Sequence, residues 1–124
     1  MPFIPAAEAR IFDIPGVRFA GLAAPSRGAT ENAVWIVTLQ PGAPGMPHRL
    51  TREEIFVAIG GAASATVDGT AHELTEGSAL VVPAGATLSL SNPHAAPFRA
   101  VVVLPVGGQA RIAGEAPFTP PWAQ

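Results

Sequence analysis

The chain has 124 residues, enough for one domain with a genuine core and too few for two. Hydrophobic residues make up 48% and charged residues only 13%, a balance that points to apolar surface hidden in a lumen or a subunit interface. The net charge is −2, the seven cations are all scattered arginines, and cysteine is absent; a nucleic-acid or anionic-membrane footprint, a disulfide framework and a thiolate site are all excluded.

Residues 1–16 carry three prolines and read as an N-terminal arm. They lack the basic start and sustained apolar run of a secretion signal, and no later stretch has the length of a membrane span. A cytoplasmic protein is expected. From Val17 onward, short β-branched or apolar runs alternate with turn residues: "VRFAGLA", "AVWIVTL", "EEIFVAIG", "ASATVDG", "AHELTEG", "SALVVP", "TLSLSN" and "FRAVVVLPV". Most have the usual length of a strand. The 13 glycines and 14 prolines punctuate them, and no window gives a clean helical stripe. Such spacing predicts an all-β sandwich or barrel.

Several joints have a mechanism. Asp68-Gly69 reads as a two-residue hairpin turn, whose backbone needs positive φ. Pro83 cannot donate to a ladder and so closes the strand "ALVV". "TLSLSN" alternates, with Leu88 and Leu90 on one face. Trp35 is assigned to core packing. The proline-rich tail, residues 107–124, holds Phe118 and Trp122; two large aromatics predict a segment docked on the body, either on the outer sheet or as a lid.

The glycines, prolines and polar residues between 42 and 92 form a spaced pattern. Gly42 is followed after five residues by His48, then one to Leu50, three to Glu54 and six to Gly61. Fifteen residues later, Gly77 leads by five to Pro83, one to Gly85, two to Leu88 and three to Asn92. The pair resembles the two motifs of the cupin superfamily, in order and at that family's spacing. The resemblance implies a single-domain jelly-roll barrel, a double-stranded β-helix spanning residues 1–124, often dimeric, with a site in its lumen. A homodimer burying "AVWIVTL" or the N-terminal arm is therefore expected.

The departures from the family pattern bear on chemistry. In metal-binding cupins the first motif supplies two histidines and a glutamate, and the second a further histidine. Here His48 and Glu54 remain, while Leu50 and Leu88 occupy the other two donor positions. One imidazole and one carboxylate are too few to hold a transition ion tightly, so no resident metal and no other cofactor is expected. His94, in the turn after Asn92, and His72, on a hairpin arm, are candidate replacement donors whose simpler reading is solvent exposure. Glu53, one residue from Glu54, points outward by alternation and belongs to the surface.

Without a metal, His48 and Glu54 are expected to face a lumen lined by Leu50, Phe56, Leu88 and Leu90. A titratable pair in a concave apolar pocket is the usual signature of a ligand site. The leading expectation is a metal-independent pocket for a small, largely apolar organic molecule, with Glu54 or His48 serving as a general base for proton transfer. The family's metal-independent deoxysugar epimerases offer a partial analogy, since they also use a tyrosine acid and this chain has no tyrosine. The competing readings are a ligand-sensing module without chemistry, a metal-dependent oxygenase or isomerase built on an altered set such as His48, Glu54 and His94, and a barrel retained for its interface.

Overall fold

Alternation places the core. In strand β3 (Asn32–Leu39) Ala33, Trp35, Val37 and Leu39 are buried, and in β10 (Phe98–Pro105) Phe98, Ala100, Val102 and Leu104 are buried. The two strands pair antiparallel with Phe98 opposite Leu39 and Val102 opposite Trp35, so their buried sets share one face. A computed structural model describing residues 1–124 builds the remainder on this pair. The other strands are β1 (Arg10–Ile14), β2 (Val17–Ala23), β4 (His48–Leu50), β5 (Glu54–Gly60), β6 (Ala62–Val67), β7 (Thr70–Thr75), β8 (Ala79–Val82), β9 (Thr87–Ser91) and β11 (Ala110–Arg111).

They form a six-stranded sheet in the order β1-β2-β3-β10-β5-β8 and a five-stranded sheet in the order β11-β4-β9-β6-β7. Every pairing is antiparallel. The apolar inner faces of the two sheets enclose one core. The molecule is thus all-β, as the strand spacing predicts, and a jelly roll, as the resemblance implies. Its only helical pieces are three 3-10 turns, and no helix is long and apolar enough to cross a membrane.

The predicted turns are in place. Asp68 and Gly69 both take positive φ, 47° and 82°, between β6 and β7, and Pro83 follows directly on β8. All eight runs read from the sequence coincide with strands. The arm is a correction. Only residues 1–9 precede the sheet, because "RIFDI" hydrogen-bonds along β2 as an edge strand. Its prolines, Pro2, Pro5 and Pro15, all fall outside the paired segment.

The tail docks, and on the inner rather than the outer side of the larger sheet. Trp122 stacks face to face on Phe19, with ring centroids 3.5 Å apart, and meets Phe12 and Trp35 edge-on. Phe19 is opposite Val37, so this is the face that carries the core. Gly21 makes the approach possible, since a Cβ there would press on the Trp122 carbonyl. Phe118 exchanges both backbone hydrogen bonds with Ala110, tying the tail to the second sheet as well.

Candidate functional site

The motif residues divide into those that build the backbone and those that face the interior. Asn92 is 1% exposed, and its side chain is fully engaged. Its amide nitrogen donates to the carbonyls of Leu39 (3.0 Å) and Ala96 (2.9 Å), and its amide oxygen accepts from His94 N–H. Its backbone exchanges hydrogen bonds with the 42–43 segment, so Asn92 clamps the end of the second motif to the start of the first. Gly61 sits at φ 69°, where a Cβ would collide with the Pro97 carbonyl oxygen. Gly85, at φ 82°, donates its N–H to the Leu50 carbonyl. These positions hold the fold.

Glu54 is different. It opens β5, shares an inward face with Phe56 and Ala58, and lies opposite the buried Val82 of β8. It is 3% exposed, and its Oε1 has no hydrogen-bond partner. No cation reaches it, since the only ion pairs are Arg18–Asp13 and His94–Glu73, both on the surface. Desolvation alone therefore pushes its pKa up to about 8. Near neutral pH this group is a carboxylic acid rather than a carboxylate.

His48 shares the inward side of β4 with Leu50 and stands opposite Leu88 of β9. It is only half-buried, and it lines a surface cleft together with Arg49, Thr87 and Arg111. Its Nδ1 lies 2.9 Å from the Met46 carbonyl oxygen, so that nitrogen carries the proton. No hydrogen bond joins it to Glu54. The expected titratable pair is therefore not formed: the imidazole is turned to its own loop, and the carboxyl is left alone. Leu50, Phe56 and Leu88 are fully buried in the core, while Leu90, opposite Ala65, is half-buried. These apolar side chains fill the lumen as much as they line it.

Two surface clefts, of about 380 and 410 Å³, open beside β4, and His48 lines the first and Leu50 the second. Neither is lined by Glu54, Phe56, Leu88 or Leu90. The replacement donors do not converge either. His94 Nε2 is 2.6 Å from Glu73 Oε1 on the surface, and His72 is exposed on β7, the edge strand of its sheet. Glu53 is exposed, as alternation required. No three imidazole or carboxylate side chains come together in a way that could hold a metal ion. The donor set does not fit the transition metal that the fold commonly carries, because two of its seats hold isobutyl groups.

One feature of the surface was not legible beforehand. Arg49 and Arg111 stand directly opposite each other on β4 and β11, a pairing of residues far apart in sequence that only the register reveals.

Comparison with known proteins agrees with this architecture. The family model for the cupin domain matches residues 35–104. The polyketide cyclase RemF from Streptomyces resistomycificus superposes with a TM-score of 0.81 at 16% identity, over 94% of this chain and 87% of its own. An RmlC-like cupin from Shewanella frigidimarina gives 0.72 at 20% identity, over 83% and 88%. A sugar phosphate isomerase of the cupin superfamily from Silicibacter pomeroyi gives 0.70 at 19% identity, over 92% and 83%. At these identities the likeness concerns the fold. No curated protein matches the chain by sequence.

Proposed function

The chain belongs to the cupin family, and on that premise we propose that its barrel binds a small, largely apolar organic molecule without a resident metal, with Glu54 as the acid–base group. The observation that carries this reading is the unpartnered Oε1 of a carboxyl group that is 3% exposed. Leaving such a group unsatisfied costs about 1–3 kcal/mol. Stability alone would favour an aliphatic residue there, as at Leu50 and Leu88. A ligand that hydrogen-bonds to Glu54 recovers the cost on binding.

The same burial suits the group to proton transfer. An acid–base catalyst works best when its pKa lies near the working pH, and Glu54 is held at about 8. As a neutral acid it protonates or polarises a carbonyl; once ionised, it is a poorly solvated base towards a carbon acid. The chemistry proposed is isomerisation or cyclisation by proton shuttling. Of the similar folds, the polyketide cyclase offers the nearer analogy in substrate character. A phosphosugar is disfavoured, because the chain has no lysine and no arginine is buried. His48, half-buried on the inward side of β4, is assigned the role of orienting the ligand.

The test is a thermal-shift and calorimetric screen of apolar ketones, enolisable aromatics and sugars against the wild type and Glu54→Gln. Saturable binding by an apolar carbonyl compound, weakened about tenfold or more in Glu54→Gln, is expected. Equal affinity in the two proteins would remove Glu54 from the site. Proton exchange at the ligand's acidic carbon, followed by NMR in deuterium oxide, separates catalysis from simple binding.

The proposed working form is a two-fold dimer. The inward half of "AVWIVTL" is consumed by the chain's own core, so the dimer is assigned to the outer face of the six-stranded sheet. There Val57, Ile59 and Val81 are exposed, beside the partly buried Val101, Val103 and Ile36. Light scattering checks this, and Val57→Glu on that face is expected to yield monomers.

A further inference from the structure

From the outer face of the five-stranded sheet we infer a second ligand site, for a small organic molecule carrying a carboxylate or phosphate group, centred on Arg49 and Arg111. Inward on β4 and β11 are Leu50 and Ala110, which are opposite each other and buried. Arg49 and Arg111, the next pair in register, therefore point outward together. Thr87 of β9 is opposite Arg49 on its other side, completing a row of three donor-bearing side chains across adjacent strands.

Like charges directly opposite on a ladder repel and destabilise the pairing. Here neither guanidinium is relieved by an ion pair, since the two salt bridges of the molecule involve other residues. Arg49 uses its Nε to donate to Thr87 Oγ1 at 3.0 Å, which fixes its plane and leaves its terminal nitrogens free. Both arginines are exposed. In an acidic chain with only seven cations, two of them stand side by side. A single oxyanion bridging the pair would turn the repulsion into two charge-assisted contacts, with the planar fork of arginine matched to carboxylate or phosphate oxygens.

The shape of the surface says what else the ligand carries. Both clefts, about 380 and 410 Å³, include Arg49 and Arg111, so the cationic pair lies where the two meet. The first is walled by Pro47, His48, Ile112 and Ala113; the second runs past Leu50, Thr51, Ala84 and Gly85. Clefts of this volume fit a small molecule rather than a macromolecule. Two acids set the limits of the site. Glu115 lines the first cleft without pairing with either arginine, and Asp68 accepts a hydrogen bond from the Thr87 backbone N–H. Glu115 is thus placed to compete with a bound anion.

The site is centred away from Glu54, which lines neither cleft, although His48 borders the first cleft and Leu50 the second. The experiment is a titration of the full chain, followed by NMR of arginine Nε–H and backbone amides, with benzoate, phenyl phosphate, inorganic phosphate and sodium chloride at matched ionic strength. Benzoate or phenyl phosphate is expected to saturate, shifting Arg49, Arg111 and Thr87. Affinity should fall about tenfold in Arg49→Gln and in Arg111→Gln, and rise in Glu115→Gln. Arg111→Lys keeps the charge and loses the fork, so it should bind more weakly than wild type. Glu54→Gln leaves the affinity unchanged, which separates this site from the lumenal one. The proposal is overturned if no probe saturates below roughly 10 mM, if chloride produces the same shifts, or if both glutamine variants, folded with wild-type melting temperatures, bind as the wild type does. Inorganic phosphate matching phenyl phosphate would overturn the organic part.

Discussion

Asn92 and Glu54 are the two polar side chains buried in this molecule, at 1% and 3% exposure, and they are opposites in every other respect. Asn92 spends its amide on two carbonyls and a backbone N–H, joining the loops at the ends of the two motifs. Glu54 has an oxygen with no partner and no cation in reach. A buried polar group that is fully satisfied rigidifies its surroundings; one that is not costs stability and is kept for another reason. The contrast separates the scaffold of this barrel from its candidate site within a single motif pair.

The pH dependence of stability should show the largest effect. Glu54 titrates at 4.5 when unfolded and at about 8 when folded. Below 4.5 both states carry the proton, and stability is at its highest. As pH rises towards 8 the unfolded chain releases the proton while the folded chain keeps it, so stability falls, by on the order of 5 kcal/mol, and levels off above 8. Urea unfolding across this range should reveal the slope in the wild type and its loss in Glu54→Gln. Next comes Asn92→Ala, which orphans the carbonyls of Leu39 and Ala96 and should cost about 3–4 kcal/mol in the same assay. A cost below 1 kcal/mol would break the contrast from the Asn92 side.

A gain of function sharpens it further. If two leucines are what bar a metal, Leu50→His combined with Leu88→His should create a zinc or nickel site with His48 and Glu54. At a metal concentration about a hundred times the dissociation constant, the double variant should be stabilised by about 2.7 kcal/mol, with no response in the wild type. Calorimetric melting with and without added ion reads this directly. The smallest effect is Glu54→Met, which replaces the orphaned carboxyl by an apolar group of similar length. At pH 4, where both states carry the proton, it should stabilise the chain by about 1–2 kcal/mol, and it should abolish lumenal ligand binding.

Most of the fold was legible because its strands are short, alternating and bounded by glycine or proline. "AVWIVTL" and "FRAVVVLPV" bury every second residue as written. Edge strand β1 was missed because "RIFDI" lies among prolines and takes its order from pairing with β2, not from its own pattern. For the site, the family resemblance implied the inward face of Glu54, Leu50 and Leu88, and alternation added Phe56 to that face and turned Glu53 outward. It could not give the distance between groups on opposite sheets. His48 and Glu54 belong to different sheets, and the imidazole satisfies itself on Met46 two residues away. The Arg49–Arg111 pair escaped for a related reason, since register between distant segments leaves no local trace.

The central claim is that the interior of this barrel holds a neutral, unpartnered carboxylic acid at Glu54. Carbon-13 NMR of the Glu54 side-chain carboxyl, followed from pH 4 to 9 in the metal-free protein, tests it most directly. The account predicts a protonated signal at pH 6 that titrates near 8. A carboxylate already ionised at pH 6, titrating in the ordinary range near 4.5, would contradict it.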